Sequence, residues 1–350
     1  MNSVTGGLLD TTGRRVLHEL VSTPSPSGEE TAVAERLREF FHTHDREAWI
    51  DDVGNVRAPA NDTVLLTSHM DTVPGEVPVE IRDGDAGAEL WGRGTVDATG
   101  PLAAMATAAV ETGVSFAGVV EEETTSRGAR HLVAERAPPE AVINGEPSGW
   151  DGFTLGYRGV LSGEYTATSR SGHSSRPESN AVQQAIAWWS DIEAAFKTDE
   201  KTPVFERVTA KPVGMTGGLA DDGLAVEATV DAQFRIPPRL TTDDVRDRAE
   251  RLLGTNEVQW TDAIPPVMQS PRTSLARAFR TGIRDAGEDP RMLRKTGTSD
   301  MNLFAAAWDC PMVTYGPGDS AFDHAPDEHL SLEEFDRAVT ILETVCRDRT

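Results

Sequence analysis

The chain has 350 residues, a length that favours one large domain with a smaller one over a single hydrophobic core. Its formal net charge of −24 at pH 7 makes nucleic acids and anionic membranes unfavourable partners, because like charges repel. No apolar run approaches the ~20 residues of a membrane span, and the first residues lack the basic and apolar regions of a signal peptide. With only two cysteines, Cys310 and Cys346, the composition predicts a cytoplasmic protein.

Lysine is scarce, and arginine supplies almost all of the cationic residues. The only lysines are Lys197, Lys201, Lys211 and Lys295. Acid excess with few lysines predicts a halophilic protein, because high salt screens the repulsion between acidic side chains. The alternative is an acidic cytoplasmic protein encoded by a GC-rich genome.

The first third of the chain predicts alternating helices and strands. Apolar residues at helical spacing indicate a helix over residues 29–41, and the alanine-rich stretch 101–110 indicates another. Short apolar runs at residues 63–67, 114–120 and 141–143 are typical of buried strands in an α/β sheet. The polar residues that follow these runs are His69, Glu121, Glu122, Glu123 and Glu146. The carboxyl ends of strands are where α/β sheets place their functional sites.

From residue 157 the pattern changes to that of an inserted α+β domain. Two stretches alternate as half-buried strands do and two have helical periodicity, in the chain order 160–169, 181–196, 224–234 and 241–253. The α/β pattern returns near residue 270. Further helices are predicted over residues 273–286 and 331–346, the second behind a serine N-cap.

Five candidate metal ligands occur along the chain, four of them beside predicted strands. They are His69 in SHMDTVP, Asp97 in GRGTVDATGPL, Glu123 in VVEEETTSRGA, Glu146 in INGEP and His324 in FDHAPDEHL. Histidine together with carboxylate suits zinc and similar divalent ions, and the lack of cysteine ligands argues against a structural zinc site. Taken alone, a loop histidine, a run of glutamates or an aspartate in a glycine-rich loop is an ordinary surface feature. Five such residues in this order, four of them beside predicted strands, predict a metal site.

Each residue type has a chemical role in such a site. Asp71, two residues after His69, can accept the second ring N–H of that histidine and so orient the ring. A single carboxylate, here Asp97, can bridge two metal ions ~3.5–4 Å apart. Of the adjacent glutamates, Glu123 is expected to ligate a metal. Glu122 is expected to be the general base that takes a proton from water and passes it to the leaving nitrogen.

In these motifs the chain resembles the dinuclear zinc metallopeptidase family that includes acetylornithine deacetylase, succinyl-diaminopimelate desuccinylase, aminoacylase and glutamate carboxypeptidases. SHMDTVP looks like the first-ligand motif of that family, GRGTVDATGPLAAM like its bridging-aspartate motif, and EEE like its acidic pair. The resemblance implies two divalent ions, with zinc favoured and cobalt or manganese also suitable. It also implies an α/β zinc-peptidase catalytic domain over residues 1–156 and 267–350, interrupted by an α+β lid or dimerisation domain over residues 157–266.

The expected lid carries further motifs of the same family. SGHSSRP resembles a segment whose histidine reaches the partner protomer's active site, so His173 is expected to stabilise the oxyanion in a homodimer; the alternative is a surface-loop histidine. Arg235 in DAQFRIPP looks like the position that holds a substrate carboxylate. The other expected substrate-binding residues are Arg158 in GYRG, and Thr298, Ser299 and Asp300 in TGTSDMN.

Within the family, EEETTSRGAR, GYRG and GTSDMN look most like the hydrolases of carrier-protein lysine and arginine biosynthesis. This likeness implies release of lysine or ornithine from the terminal glutamate of an acidic amino-group carrier protein, which is then the expected partner. The alternatives are a deacylase of N-acetylornithine, N-acetyllysine or N-succinyl-diaminopimelate, and a dipeptidase. A non-catalytic binding module is the remote alternative; it predicts the loss of a ligand or of the base, whereas every expected position is filled.

Overall fold

The computed structural model describes residues 7–84 and 87–349 and divides the chain into two compact units. The first unit comprises Met1–Leu155, Gln269–Leu293 and Ser299–Thr350, and the second comprises Gly156–Met268 and Arg294–Thr298. The sequence predicted an insertion over residues 157–266, and it contained no sign of the additional short segment. Within the described residues, no helix is long and apolar enough to cross a membrane.

The first eight strands in chain order are β1 (Trp49–Ile50), β2 (Val56–Ala58), β3 (Asn61–His69), β4 (Glu80–Gly84), β5 (Gly87–Trp91), β6 (Val114–Val119), β7 (Val142–Gly145) and β8 (Gly152–Tyr157). The remaining strands are β9 (Gly159–Arg170), β10 (Thr209–Leu219), β11 (Ala225–Ile236), β12 (Glu257–Ile264), β13 (Val267–Met268), β14 (Arg291–Lys295), β15 (Met312–Thr314) and β16 (His329–Ser331). In the first unit, one sheet contains the order β1-β2-β6-β3-β7-β15-β8, and a smaller sheet has the order β16-β5-β4.

Parallel pairing at the centre of the large sheet determines where the site can form. β3 lies between β6 and β7 and runs parallel to both, and β15 runs parallel to β7 on its other side. Residues 64–69 of β3 and all of β6 and β7 are buried, as expected for strands covered on both faces. Because these strands are parallel, their carboxyl ends lie at the same edge of the sheet.

The helices are α1 (Thr12–Val21), α2 (Thr31–Thr43), α3 (Thr99–Thr112), α4 (Arg127–Glu135), α5 (Ala181–Phe196), α6 (Thr242–Glu250), α7 (Ser274–Asp285), α8 (Asp300–Ala307) and α9 (Leu332–Arg347). α3 is buried along most of its length and packs against β3, α1 and α9, which its many alanines permit because they need little space. It ends at Gly113, which has a left-handed φ of 70°. The predicted serine cap of the last helix is confirmed, since Ser331 Oγ accepts a hydrogen bond from Glu334 N.

The second unit is a four-stranded antiparallel sheet with the order β10-β11-β9-β12 and two helices, α5 and α6. Its core includes Tyr165 of β9 stacked on Trp188 of α5, with ring centroids 4.3 Å apart. The predicted strands and helices in this region correspond to β9, α5, β11 and α6. The sequence did not reveal β10, because Pro212 and three glycines interrupt its alternation of polar and apolar residues.

Candidate metal centre and active site

Polar residues lie where the parallel strands of the first unit end. His69 is the last residue of β3, Glu122 and Glu123 follow β6, and Glu146 follows β7. His69 is paired in register with Val119, the last residue of β6, so the two strand ends are level. The edge predicted from the sequence therefore carries these four side chains together.

Asp97 and His324 join this edge from other parts of the chain. Asp97 lies just before α3, and His324 lies in the loop between β15 and β16 with a left-handed φ of 62°. Asp97 Oδ1 is 3.2 Å from Nε2 of His69, and Asp97 Oδ2 is 3.1 Å from Nε2 of His324. The two oxygens of one carboxylate thus face different histidines, as a bridging ligand requires.

Two groups of candidate ligands share Asp97. One group is His69, Asp97 and Glu146, and the other is Asp97, Glu123 and His324; within each group the ligand atoms lie within 4.8 Å of one another. Nε2 of His324 is 3.0 Å from Glu123 Oε1, and Nε2 of His69 is 3.9 Å from Glu146 Oε1. Each group offers a histidine, a carboxylate of its own and the shared carboxylate, a donor set that fits a pair of divalent cations.

The carboxylates clustered at the site favour positive charge close to them. Hydrogen bonding to Asp97 raises the pKa of His324 to about 9. Burial lowers the pKa of His69, but hydrogen bonds with Asp71 and Asp97 outweigh it and hold the pKa well above its usual value. Burial alone would raise the pKa of Asp97, but hydrogen bonds from His324 and His69 outweigh burial and lower the pKa below its usual value. Protons on the histidines compensate the carboxylates here, and bound divalent cations would take over that role.

Glu122 has the pKa shift that suits a general base. Burial, and then the negative charge of Glu146, raise the pKa of Glu122 well above its usual value. Burial and the charge of Asp97 also raise the pKa of Glu123. A carboxylate with a raised pKa accepts a proton more readily than an ordinary glutamate, which suits a group that takes a proton from water and later releases it.

Asp71 organises the backbone of the acidic segment. This fully buried carboxylate accepts hydrogen bonds from the backbone N–H of Glu122 at 3.0 Å, from that of Glu123 at 3.1 Å and from the Ser27 hydroxyl at 2.7 Å. Nδ1 of His69 is 2.9 Å from the main-chain oxygen of Asp71 and 3.4 Å from its Oδ1, so the main chain makes the better hydrogen bond. Asp71 therefore acts on Glu122 and Glu123, the candidate base and the candidate ligand, largely through their backbone.

Two residues that the sequence analysis did not select, Arg93 and Glu328, connect the loops of Asp97 and His324. The buried Glu328 carboxylate accepts hydrogen bonds from the backbone N–H groups of Asp97 and of the residue before it, at 3.1 and 2.9 Å, and from Arg93 Nη1 at 2.8 Å. The same arginine nitrogen donates to the main-chain oxygen of Ala325, beside His324, at 3.1 Å. The only signal in the sequence was the position of Glu328 four residues after a candidate ligand.

The expected substrate-binding residues fall in both units. In the second unit, Arg158 donates to the main-chain oxygens of Thr296 at 2.9 Å and Val204 at 3.3 Å, and Arg235 Nη1 donates to Thr298 Oγ1 at 3.4 Å.

In the first unit, Ser299 precedes α8 and Asp300 is its first residue; both are buried, and burial raises the pKa of Asp300 to about 7. His173 belongs to the second unit and is exposed, with Nδ1 2.8 Å from Ser175 Oγ. The metal-binding candidates all belong to the first unit.

Comparison with known proteins gives consistent results. A sequence profile of Peptidase family M20/M25/M40 matches residues 65–348. A [LysW]-lysine hydrolase from Deinococcus radiodurans is 37% identical over 94% of both chains. A [LysW]-lysine/[LysW]-ornithine hydrolase from Sulfurisphaera tokodaii is 30% identical over 93% of this chain and 92% of that one.

Two solved structures share the fold. The M20 family metallo-carboxypeptidase Sso-CP2 from Sulfolobus solfataricus matches with a TM-score of 0.76 and 18% identity over 96% of this chain and 99% of the other. The Bacillus subtilis YXEP protein, a dinuclear metal-binding peptidase, matches with a TM-score of 0.68 and 13% identity over 96% and 97% of the two chains. The α/β fold class predicted from the sequence is confirmed.

Proposed function

Because the chain belongs to Peptidase family M20/M25/M40 and is a metal-dependent amide hydrolase, we propose that it releases lysine, ornithine or both from the terminal glutamate of an amino-group carrier protein. Curated relatives named as [LysW]-lysine or [LysW]-lysine/[LysW]-ornithine hydrolases match most of the chain, and their names support this substrate. The observation that carries the chemistry is the shared position of Asp97 between two ligand groups.

The proposed roles of the first-unit residues follow from their positions. His69 and Glu146 would hold one divalent cation, Glu123 and His324 the other, and Asp97 both; we propose zinc, with cobalt as a possible substitute. A bound pair of such cations polarises the amide carbonyl and lowers the pKa of water toward ~7. Glu122 then takes the proton of the attacking water and delivers it to the leaving nitrogen.

Asp71 keeps Glu122 and Glu123 in place through their backbone N–H groups. The proposed substrate-binding residues are Arg235, Arg158, Thr298, Ser299 and Asp300. The terminal glutamate and the amino acid both carry carboxylates, for which a guanidinium is an apt partner.

We further propose a homodimer in which His173 of one protomer stabilises the oxyanion in the active site of the other. Exposed apolar side chains on the edge strand β10 support a second copy of the chain as the partner. They include Val213, Met215 and Leu219, and α5 adds the exposed Ile186. An open strand edge with apolar residues is a liability unless another chain covers it.

The proposed setting is the cytoplasm of a halophile. The net charge of −24 and the scarcity of lysine favour high salt, and Cys310 and Cys346 are free thiols that suit a reducing compartment. High salt would also screen the repulsion between this acidic chain and an acidic carrier protein.

Amino-acid release by the metal-loaded protein in molar salt tests the proposal. Carrier protein charged with lysine or ornithine is compared with N-acetyllysine, N-acetylornithine and N-succinyl-diaminopimelate. Preference for a charged carrier supports the proposed function. Preference for the small acylated compounds would leave the metal-dependent chemistry intact but assign the chain to a deacylase.

Mixing two inactive variants tests the dimer. If His173 acts in the partner's site, Glu122→Gln and His173→Ala chains mixed under exchange conditions regain part of the activity, because one of the two sites in each mixed dimer is complete. Mixtures that stay inactive while exchanging subunits would show that His173 does not act in the active site of the partner.

A further inference from the structure

Three arginines of the second unit lie in or beside one short segment, residues 204–209. Arg158 donates hydrogen bonds to Val204 O and to the hydroxyl of Thr209. Arg235 is paired with Thr209 across the β10–β11 ladder, and Arg207 lies in the segment itself. A chain with 57 acidic and 33 basic residues thus concentrates positive charge at one end of this sheet.

Two of these guanidinium groups, those of Arg207 and Arg235, lack an acidic partner among the residues that the structure describes. Arg207 is half-buried, and its Nε is shielded from solvent yet has no hydrogen-bond partner in the described chain. The side-chain bond of Arg235 is the long 3.4 Å contact to Thr298 Oγ1, and within residues 7–84 and 87–349 neither arginine forms an ion pair. Glu206, the acidic residue of the segment, is engaged elsewhere, 3.3 Å from Arg294.

This crowding of like charges has a cost in the free protein. Burial, followed by the charges of Arg235 and Arg207, lowers the pKa of Arg158 to about 10. Arg207 and Arg235 are partly desolvated and have no acidic partner among the described residues, and such cations weaken a fold unless something negative compensates them. A carboxylate bound between the guanidinium groups would supply charge-assisted hydrogen bonds and remove this penalty.

The substrate of the proposed function has two free carboxylates. One belongs to the amino acid that is released, and the other is the α-carboxylate of the carrier's terminal glutamate, whose γ-carboxyl forms the scissile amide. An N-acetylated amino acid carries only the first. A second carboxylate subsite would therefore distinguish the carrier substrate from the N-acetylated amino acids.

We propose that Arg207, beside Arg235, forms this second subsite and binds the α-carboxylate of the carrier's terminal glutamate. The inference rests on the proposed function, with Arg235 holding the carboxylate of the amino acid. Arg158 is a positioning residue here, because its own hydrogen bonds tie the 204–209 segment to Thr296.

The test uses the full protein and a matched pair of small substrates, N-acetyl-γ-glutamyl-lysine with its α-carboxylate free and the same compound as the α-carboxamide. The wild-type protein should prefer the free carboxylate by about 10- to 100-fold in kcat/KM, the range for a hydrogen bond to a charged group. Arg207→Gln should bring this ratio close to one, and Arg207→Lys should restore part of it. The preference should persist in molar salt, because close contacts are screened less than distant charges.

Arg251→Gln is the control, since it removes the same charge from an exposed position of the second unit. It should keep the wild-type ratio. An unchanged ratio in Arg207→Gln, or equal cleavage of the two compounds by the wild-type protein, would reject the subsite while leaving the proposed function in place. Failure to cleave any γ-glutamyl compound or charged carrier, with N-acetyllysine still cleaved, would instead reject the proposed function.

Discussion

The contact between Glu328 and the Asp97 loop leads to the sharpest prediction about the metal centre. Glu328→Gln keeps the size of the side chain and an oxygen that can accept the backbone N–H groups of Asp97 and Val96. It removes the negative charge that faces Arg93, and it places an amide N–H₂ group near the arginine in one of its two orientations. We expect both a less stable protein and a looser metal site.

The magnitude follows from burial. The Glu328 side chain is 1% exposed and that of Arg93 is 15% exposed, so the substitution leaves an arginine with little water to replace its partner. Breaking a buried ion pair from one side costs about 3–5 kcal/mol, and the partial exposure of Arg93 favours the lower end. Residues that support metal ligands typically change metal affinity by about 10- to 100-fold.

The loss of metal affinity should differ between the two ligand groups. Arg93 also holds the main-chain oxygen next to His324, whereas His69 and Glu146 extend directly from β3 and β7. The group that contains His324 should therefore weaken more than the group that contains His69.

Competitive titration with a chelator, followed by calorimetry, measures the two affinities, and chemical denaturation measures the free energy of unfolding. Glu333→Gln is the control, because it makes the same change at an exposed ion pair with Arg337 and should alter neither quantity by more than about 0.5 kcal/mol. Wild-type affinity for both ions in Glu328→Gln, with unchanged stability, would refute the role given to Glu328.

Three further predictions concern other groups. Glu122→Gln should retain two metal ions, measured by elemental analysis, and lose several orders of magnitude in kcat; retained turnover would reject Glu122 as the base. Asp71→Asn should lower metal affinity or rate by about 10- to 100-fold, since an amide cannot accept all of the hydrogen bonds that the carboxylate receives; an unchanged enzyme would remove Asp71 from the site. Burial raises the pKa of Glu334, so ionising this carboxyl costs more free energy in the folded chain than in the unfolded one. The wild-type protein therefore becomes less stable as the pH rises from the ordinary glutamate pKa through the pKa of Glu334 in the folded chain. Glu334→Gln should remove this loss of stability, and parallel denaturation curves of both proteins across that pH range would contradict the reasoning.

The sequence alone determined the features that depend on local pattern. Buried strands could be recognised from short apolar runs, and the polar residues at their ends, such as His69 and Glu146, were identified as candidate ligands because parallel strands present their carboxyl ends at one edge. The serine before the last helix marked its start for an equally local reason. The ligand motifs also indicated the family.

Tertiary structure decided the features that depend on contacts between distant residues. Glu328 reaches Val96 across 232 positions of the chain, and no local periodicity records that approach. Asp71 was expected to contact His69, but its hydrogen bonds to the backbone of Glu122 and Glu123 exist only because β3 and β6 are neighbours in the sheet. The grouping of Arg207 with Arg235 likewise depends on strand register, because only the folded ladder brings two charges that are far apart in the sequence to the same end of a sheet.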